Sequence, residues 1–89
     1  MKLTNKVMGI TGSTRGSGRA IAEACASSGG KIVICSRNFE AVKRFTNDLT
    51  NKGYTVVGLP VDVSKEADIK KLFGFSLKEF GKIDIWINN

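Results

Sequence analysis

The chain has 89 residues, 42% of them hydrophobic and 25% charged, the balance of an ordinary globular domain near the lower size limit for a self-sufficient core. It contains no histidine, which excludes a Ser-His-Asp triad, a Cys-His pair and the histidine-containing zinc sites, and Cys25 and Cys35 lack the spacing of a metal or redox pair. Fourteen Lys+Arg against eight Asp+Glu give a net charge of +6, but the cations are scattered. The densest pairs are Lys43-Arg44 and Lys70-Lys71, which reads as a solvated surface and not as a nucleic-acid footprint. Runs such as Ile32 to Cys35 are far too short to span a bilayer, and Met1 to Thr4 lacks the apolar stretch of a signal peptide. With both cysteines inside apolar stretches, the expectation is a pair of buried free thiols and, by default, the cytoplasm.

In chain order the sequence alternates between strand-like and helix-like segments. Residues 6–11 (KVMGIT) are a short apolar run ending in a glycine-rich turn, as a buried parallel strand should. From Gly16 to Ser28, Ala20, Ile21, Ala24 and Cys25 recur at helical spacing, and Gly29-Gly30 stops the helix. Residues 31–35 form a β-branched second strand. Asn38 can cap a helix carrying Val42, Phe45 and Leu49 on one face, ended by Lys52-Gly53. Residues 54–59 give a third strand. Ser64 starts a third helix running to Phe80, with Ile69, Leu72, Phe73 and Phe80 on its buried side and Gly81 closing it. Residues 83–87 (IDIWI) are a fourth strand.

Three right-handed crossovers fix the layout of this α/β unit. The first three strands step outward in one direction, and the third helix returns the chain to the other side of strand one. The expected fold is a four-stranded parallel sheet in the order 3-2-1-4, with two helices on one face and one on the other. Such sheets bind ligands where the strand order reverses, beyond the carboxyl ends of the strands. Residues 12–18, Ser36-Arg37, Asp62-Val63 and Asn88-Asn89 all land on that rim.

The turn Thr11-Gly12-Ser13-Thr14-Arg15-Gly16-Ser17-Gly18 carries the sharpest signal. Glycine serves where a turn needs positive φ and where phosphate must approach backbone amides without an intervening Cβ. The helix that follows offers unpaired N–H groups and the positive end of its dipole. No Gly-Lys-Ser/Thr follows at the spacing of a P-loop. The strand–turn–helix context favours a bound dinucleotide over a bare glycine-rich connector.

Three segments in register resemble the short-chain dehydrogenase/reductase family. They are Thr11-Gly12-x-x-x-Gly16-x-Gly18, then Val61-Asp62-Val63-Ser64, then Asp84 to Asn89, which is similar to the start of the family's Asn-Asn-Ala-Gly motif. The resemblance covers residues 6–89 and implies a Rossmann-like three-layer half-fold, residues 1–89 being an incomplete N-terminal cofactor-binding portion. It also implies roles. Gly12, Gly16 and Gly18 form the dinucleotide turn, Asp62 contacts the adenine amino group with Val63 beside it, Asn88 lies against the adenine ribose, and Asn89 ties the central strands together. The sequence departs from the family at Ser17, where a larger apolar residue is usual.

Charge chooses between the nicotinamide cofactors. An NAD site places an acid at the end of the second strand to hold the ribose 2′-hydroxyl, whereas NADP needs positive charge. Here that place reads Ser36-Arg37, with no acid until Glu40, and Arg15 precedes Gly16. Arg15 and Arg37 with the hydroxyls of Ser13, Thr14 or Ser36 suit a 2′-phosphate, so NADP(H) is expected over NAD(H). Family members transfer hydride between the nicotinamide and a carbonyl or alcohol, using a Tyr-x-x-x-Lys pair assisted by Ser and Asn. The only tyrosine, Tyr54, has Gly58 at the fourth place, so no catalytic residue is assigned and the substrate site lies outside this chain. The expectation is the NADP(H)-binding portion of an oxidoreductase, inactive alone. The alternative is a free-standing module that binds a nucleotide or a partner without turnover. Ile83, Ile85, Trp86 and Ile87 on an unpaired edge strand invite self-association.

Overall fold

A computed structural model of the chain describes residues 2–89. The elements are β1 (Val7–Ile10), α1 (Gly16–Ser27), β2 (Lys31–Ser36), α2 (Phe39–Asn51), β3 (Thr55–Pro60), α3 (Glu66–Phe80) and β4 (Ile85–Ile87). All strand pairs are parallel and the order is β3-β2-β1-β4, as the crossover rule requires. All four residues of β1 are buried, as are the middle four of β2, so the two central strands are covered on both faces.

Alternation along the strands divides the core. Met8, Ile10, Ile32, Ile34 and Val56 face α1 and α2, meeting Ala22, Cys25, Ala26, Phe45 and Leu49. On the other face Val33, Cys35 and Val61 meet Leu72 of α3, with Trp86 packed alongside. The Arg19 guanidinium lies over the Phe45 ring, 4.4 Å from its centroid, and links α1 to α2. No helix among the described residues is long and apolar enough to cross a membrane.

Several local expectations need correction. The buried stripe of α1 is Gly18, Ala22, Cys25 and Ala26, not Ala20, Ile21, Ala24 and Cys25; Ala20 and Ala24 are exposed and Ile21 half-buried. The i, i+4, i+7, i+8 spacing is set by Gly18, which must lie against the first turn. Helix α3 begins at Glu66, not Ser64, because Asp62 holds the preceding residues in a turn. Its Oδ1 accepts the Ser64 N–H (3.0 Å) and hydroxyl (2.6 Å), and its carbonyl accepts the Lys65 N–H (3.0 Å). Leu72 and Ser76 are the buried residues of α3. Phe73, expected inside, is 37% exposed and stacks on Trp86 at 4.6 Å between ring centroids. Strand β4 spans three residues rather than five, since at its start Asp84 pairs with β1 partly through its side chain. The Val7 N–H donates to Asp84 Oδ2 (2.8 Å) while the Asp84 N–H donates to the Val7 carbonyl (2.9 Å). The Asn38 cap is as expected, its Oδ1 accepting the Ala41 N–H at 3.0 Å. Gly81 ends α3 in the left-handed conformation, φ +79°.

Candidate functional site

The first turn is folded around two left-handed glycines, Gly12 (φ +57°) and Gly16 (φ +61°), a region that side chains with a Cβ rarely occupy. Gly18 is required for a different reason. A Cβ there would fall inside contact distance of the Gly12 carbonyl oxygen and 2.5 Å from Asn89 Nδ2, so α1 rests directly on the turn. Asn89 holds this junction from the β4 side. Its N–H donates to Thr11 Oγ1 (2.9 Å) and its Nδ2 to the Gly12 carbonyl (3.3 Å), while Ser17 donates its hydroxyl to Asn89 Oδ1 (3.0 Å). The departure at Ser17 thus gains a partner on the strand opposite.

Ser13 serves the fold and not the cavity. It is fully buried; its N–H and hydroxyl both donate to the Cys35 carbonyl (3.1 and 3.3 Å), and its Oγ accepts the Cys35 N–H (3.1 Å). The expectation of that hydroxyl at a phosphate gives way to a side-chain extension of the β1–β2 pairing.

Helix α1 has an unusual beginning. Arg15 at its N-cap makes no side-chain capping bond, and its first turn holds no acid. By contrast α2 has the Asn38 cap and Glu40, and α3, which also has no side-chain cap at Lys65, has Glu66 and Asp68 in its first turn. The first amides and the dipole of α1 are therefore left for an anion from outside. Beside that end opens a cavity of about 690 Å³, bounded by Gly12, Thr14 and Arg15 of the first turn, Ser36, Arg37 and Asn38 at and after the end of β2, Asp62, Val63 and Ser64 after β3, and Asn89. Gly16, Ser17, Gly18 and Asn88 are not on its wall, and Ser13 lies behind it. Cys35, Ala41 and Val61 also face it. Cys35 near the end of β2 and Ala41 in the first turn of α2 carried only a positional signal, while Val61, just after β3, entered only as the first residue of the family-like segment 61–64.

Electrostatics inside the cavity favour an anion next to a fixed carboxylate. Two guanidiniums, Arg15 and Arg37, stand with one acid, Asp62. Hydrogen bonds from the Ser64 hydroxyl and N–H hold the Asp62 carboxyl below the usual carboxylate range, with Arg37 and Lys65 adding to the effect. Asp62 is thus an ionised acceptor at neutral pH. Ser36 Oγ accepts the Asn38 N–H (3.2 Å), leaving its own proton uncommitted. Burial pushes the Cys35 thiol up to about 11 despite a hydrogen bond from the Gly12 backbone; it is a neutral wall element and not a nucleophile. No cluster of three or more metal-ligating side chains occurs among the described residues.

Over residues 6–89 the sequence matches the profile of the short chain dehydrogenases. The chain belongs to that family. A short-chain family member of Caenorhabditis elegans, dehydrogenase/reductase SDR family member 4, is 42% identical over 99% of this chain and 34% of its own length. Among solved structures, the L-sorbose reductase of Gluconobacter frateurii, complexed with NADPH and L-sorbose, superposes with a TM-score of 0.95 at 34% identity, over the whole of this chain and 34% of that one. A short chain dehydrogenase/reductase from Burkholderia phymatum in complex with NAD gives 0.92 at 36% identity, over 97% of this chain and 31% of that one. The chain spans about a fifth to a third of the length of the curated relatives it matches.

Proposed function

We propose that residues 1–89 are the adenine-side portion of an NADP(H)-dependent short-chain oxidoreductase, which transfers hydride between the nicotinamide and a carbonyl or alcohol carbon. The observation that carries this reading is the uncapped, acid-free start of α1 beside a cavity bearing Arg15 and Arg37. A pyrophosphate could approach the start of α1 closely, since nothing stands within 4 Å of where a Gly16 Cβ would be and the first helix amides have no side-chain cap. The residues that would hold the group are the glycine turn, with Asp62 and Val63 at the adenine, Asn88 at its ribose, and Arg15, Arg37, Thr14 and Ser36 at a 2′-phosphate. The nicotinamide supplies the hydride chemistry when bound. This chain's residues bind and orient the adenosine half, and none of them moves a proton to substrate. Tyr54 packs against the core below β3 and has no lysine four residues on.

NADP(H) is favoured over NAD(H) because the end of β2 offers Arg37 and an uncommitted Ser36 hydroxyl in place of a carboxylate. Each charge-assisted bond to a phosphate is worth about 1.5–3 kcal/mol, so Arg37→Ala weakens NADP about 10- to 100-fold while changing NAD little. Arg37→Asp reverses the preference. Titration of the folded protein with both dinucleotides tests this, and equal affinities for the two would refute the NADP assignment. Incubated alone with NADPH and simple ketones or aldehydes, the chain gives no turnover.

Two further expectations accompany this reading. The buried free thiols of Cys25 and Cys35 suit a reducing cytoplasm, which cell fractionation checks. Ile85 (38% exposed) on the edge strand and Leu77 (51%) on α3 leave an apolar margin. The isolated 89-residue polypeptide therefore self-associates through β4, and a single monomeric species by sedimentation velocity at micromolar concentration would contradict that.

A further inference from the structure

The two asparagines that follow β4 point to opposite faces of the sheet, as successive strand residues do. Asn89 meets Gly12 and Ser17 on the α1 side. Asn88 lies on the side of Trp86, two residues before it, and Trp86 Nε1 donates to Asn88 Oδ1 at 2.9 Å. The indole is itself held firmly. Gly9 is its neighbour on β1, and a Cβ on Gly9 would come within 2.5 Å of Trp86 Cε3, so the ring lies across bare backbone. Phe73 of α3 stacks on it at 4.6 Å with 25° between the planes. Backbone and Phe73 together fix where the indole N–H points.

An indole nitrogen only donates, whereas an asparagine amide has one accepting and one donating end. The bond therefore decides which way round the amide of Asn88 sits, with Oδ1 on the Trp86 N–H and Nδ2 without a protein partner among the described residues, just past the end of β4 and next in sequence to Asn89 on the cavity wall. We infer that Trp86 is a positioning residue for the cofactor site, acting through Asn88 to present an N–H donor, and not a carbonyl acceptor, to the ribose of an adenine dinucleotide. This rests on the dinucleotide reading above. A phenylalanine at 86 would preserve the stack on Phe73 but leave the amide free to turn over.

The chain has one tryptophan, so its indole N–H gives a single, assignable nitrogen–proton NMR signal. Asn88→Ala shifts that signal and speeds its solvent exchange, while Asn88→Asp, which retains an accepting oxygen, leaves it protected. In titrations with NADP, Trp86→Phe weakens binding about two- to tenfold, the worth of one oriented hydrogen bond, and Asn88→Asp weakens it at least as much. In the Asn88→Ala background, Trp86→Phe has no further effect. Should Trp86→Phe disturb the fold by circular dichroism, 3-benzothienylalanine at position 86, introduced by chemical synthesis, keeps the ring outline without the N–H. An indole signal indifferent to Asn88→Ala, or a Trp86 effect that persists undiminished in that background, overturns the positioning role. A wild-type chain with the protected indole signal that binds no dinucleotide overturns the cofactor reading and the role in binding together, leaving the Trp86–Asn88 bond as structure only.

Discussion

Replacing Gly18 by alanine adds one methyl group at the most crowded point of the cofactor turn. Its Cβ would lie 3.1 Å from the Gly12 carbonyl carbon, closer still to the oxygen, and 2.5 Å from Asn89 Nδ2. Neither neighbour yields easily. One is backbone held by the left-handed Gly12, and the other is an amide pinned by Ser17 and by its own bond to that carbonyl. Overpacking of this kind costs about 1–3 kcal/mol. Loss of the Asn89–Gly12 hydrogen bond costs roughly another 1 kcal/mol, against at most about 1 kcal/mol regained from the helix preference of alanine. The net loss is about 1–3 kcal/mol, which in a domain of this size lowers the melting temperature by about 5–20 °C. Thermal melts followed by far-UV circular dichroism measure it, with wild type and variant at one fixed concentration because association shifts the midpoint. Gly74→Ala is the matched control. It sits inside α3, where an added Cβ meets nothing within 4 Å, and should raise stability by about 0.5–1 kcal/mol. A Gly18→Ala chain melting within a degree or two of wild type would show that α1 does not rest on the turn as described.

Acid should weaken the chain through Asp84 and Asp62. The Asp84 carboxyl is held below its ordinary 3.8 by the Val7 N–H and then by Lys82, so its contribution is present above that value and is lost as the pH falls through the lower, folded one. Urea midpoints should drop as the pH is taken below about 4, and Asp84→Asn should flatten that drop; an unchanged slope would remove Asp84 from the account. Burial raises both thiols, Cys35 to about 11. At mildly alkaline pH, Cys35 should therefore react with a disulfide reagent only as fast as the chain opens, and an immediate stoichiometric burst from it would refute its place in the core.

Much of the architecture was legible because each element carries its own signal. Val7 to Ile10 and Ile32 to Cys35 are continuous apolar runs that only a doubly covered strand can bury, and the handedness of crossovers turns four such runs into one sheet order. Glycines 12, 16 and 18 between a strand and a helix announced the turn. Features that depend on the rotation of a helix or on a single distant partner were not legible. Alanines occur all around α1, so the hydrophobic pattern left its phase open until Gly18 was seen against Gly12. Phe73 has the spacing of a core residue, yet its partner is Trp86 at the sheet edge. Ser13 looked like a phosphate ligand because its type suits one, and only the approach of Cys35 shows its hydroxyl already engaged. The Trp86–Asn88 bond is a pair two residues apart, but it acquires meaning from Gly9, almost eighty residues earlier.

Strand β4 is only three residues long, yet it is fastened at both ends by side chains, Asp84 Oδ2 accepting the Val7 N–H and Thr11 Oγ1 accepting the Asn89 backbone N–H, across separations of 77 and 78 residues. The β1–β2 pairing, which begins at Val7↔Lys31, closes a loop about a third as long. On loop entropy alone the β4 junction costs about 1 kcal/mol more to form, and it has the fewest backbone rungs with which to offset that cost. The expected order of assembly is that strands β1 to β3 with α1 and α2 come together first and β4 docks after the rate-limiting step. Asn89→Ala, which keeps the backbone bond to Thr11 but removes the side-chain bonds to Gly12 and Ser17, should therefore leave the refolding rate nearly unchanged and accelerate unfolding, a division that stopped-flow kinetics would read directly. Asn89, which ties the β4 end to the glycine turn, is thus expected among the last residues to be locked in place and the first to be released, after the turn itself has formed with β1 and α1.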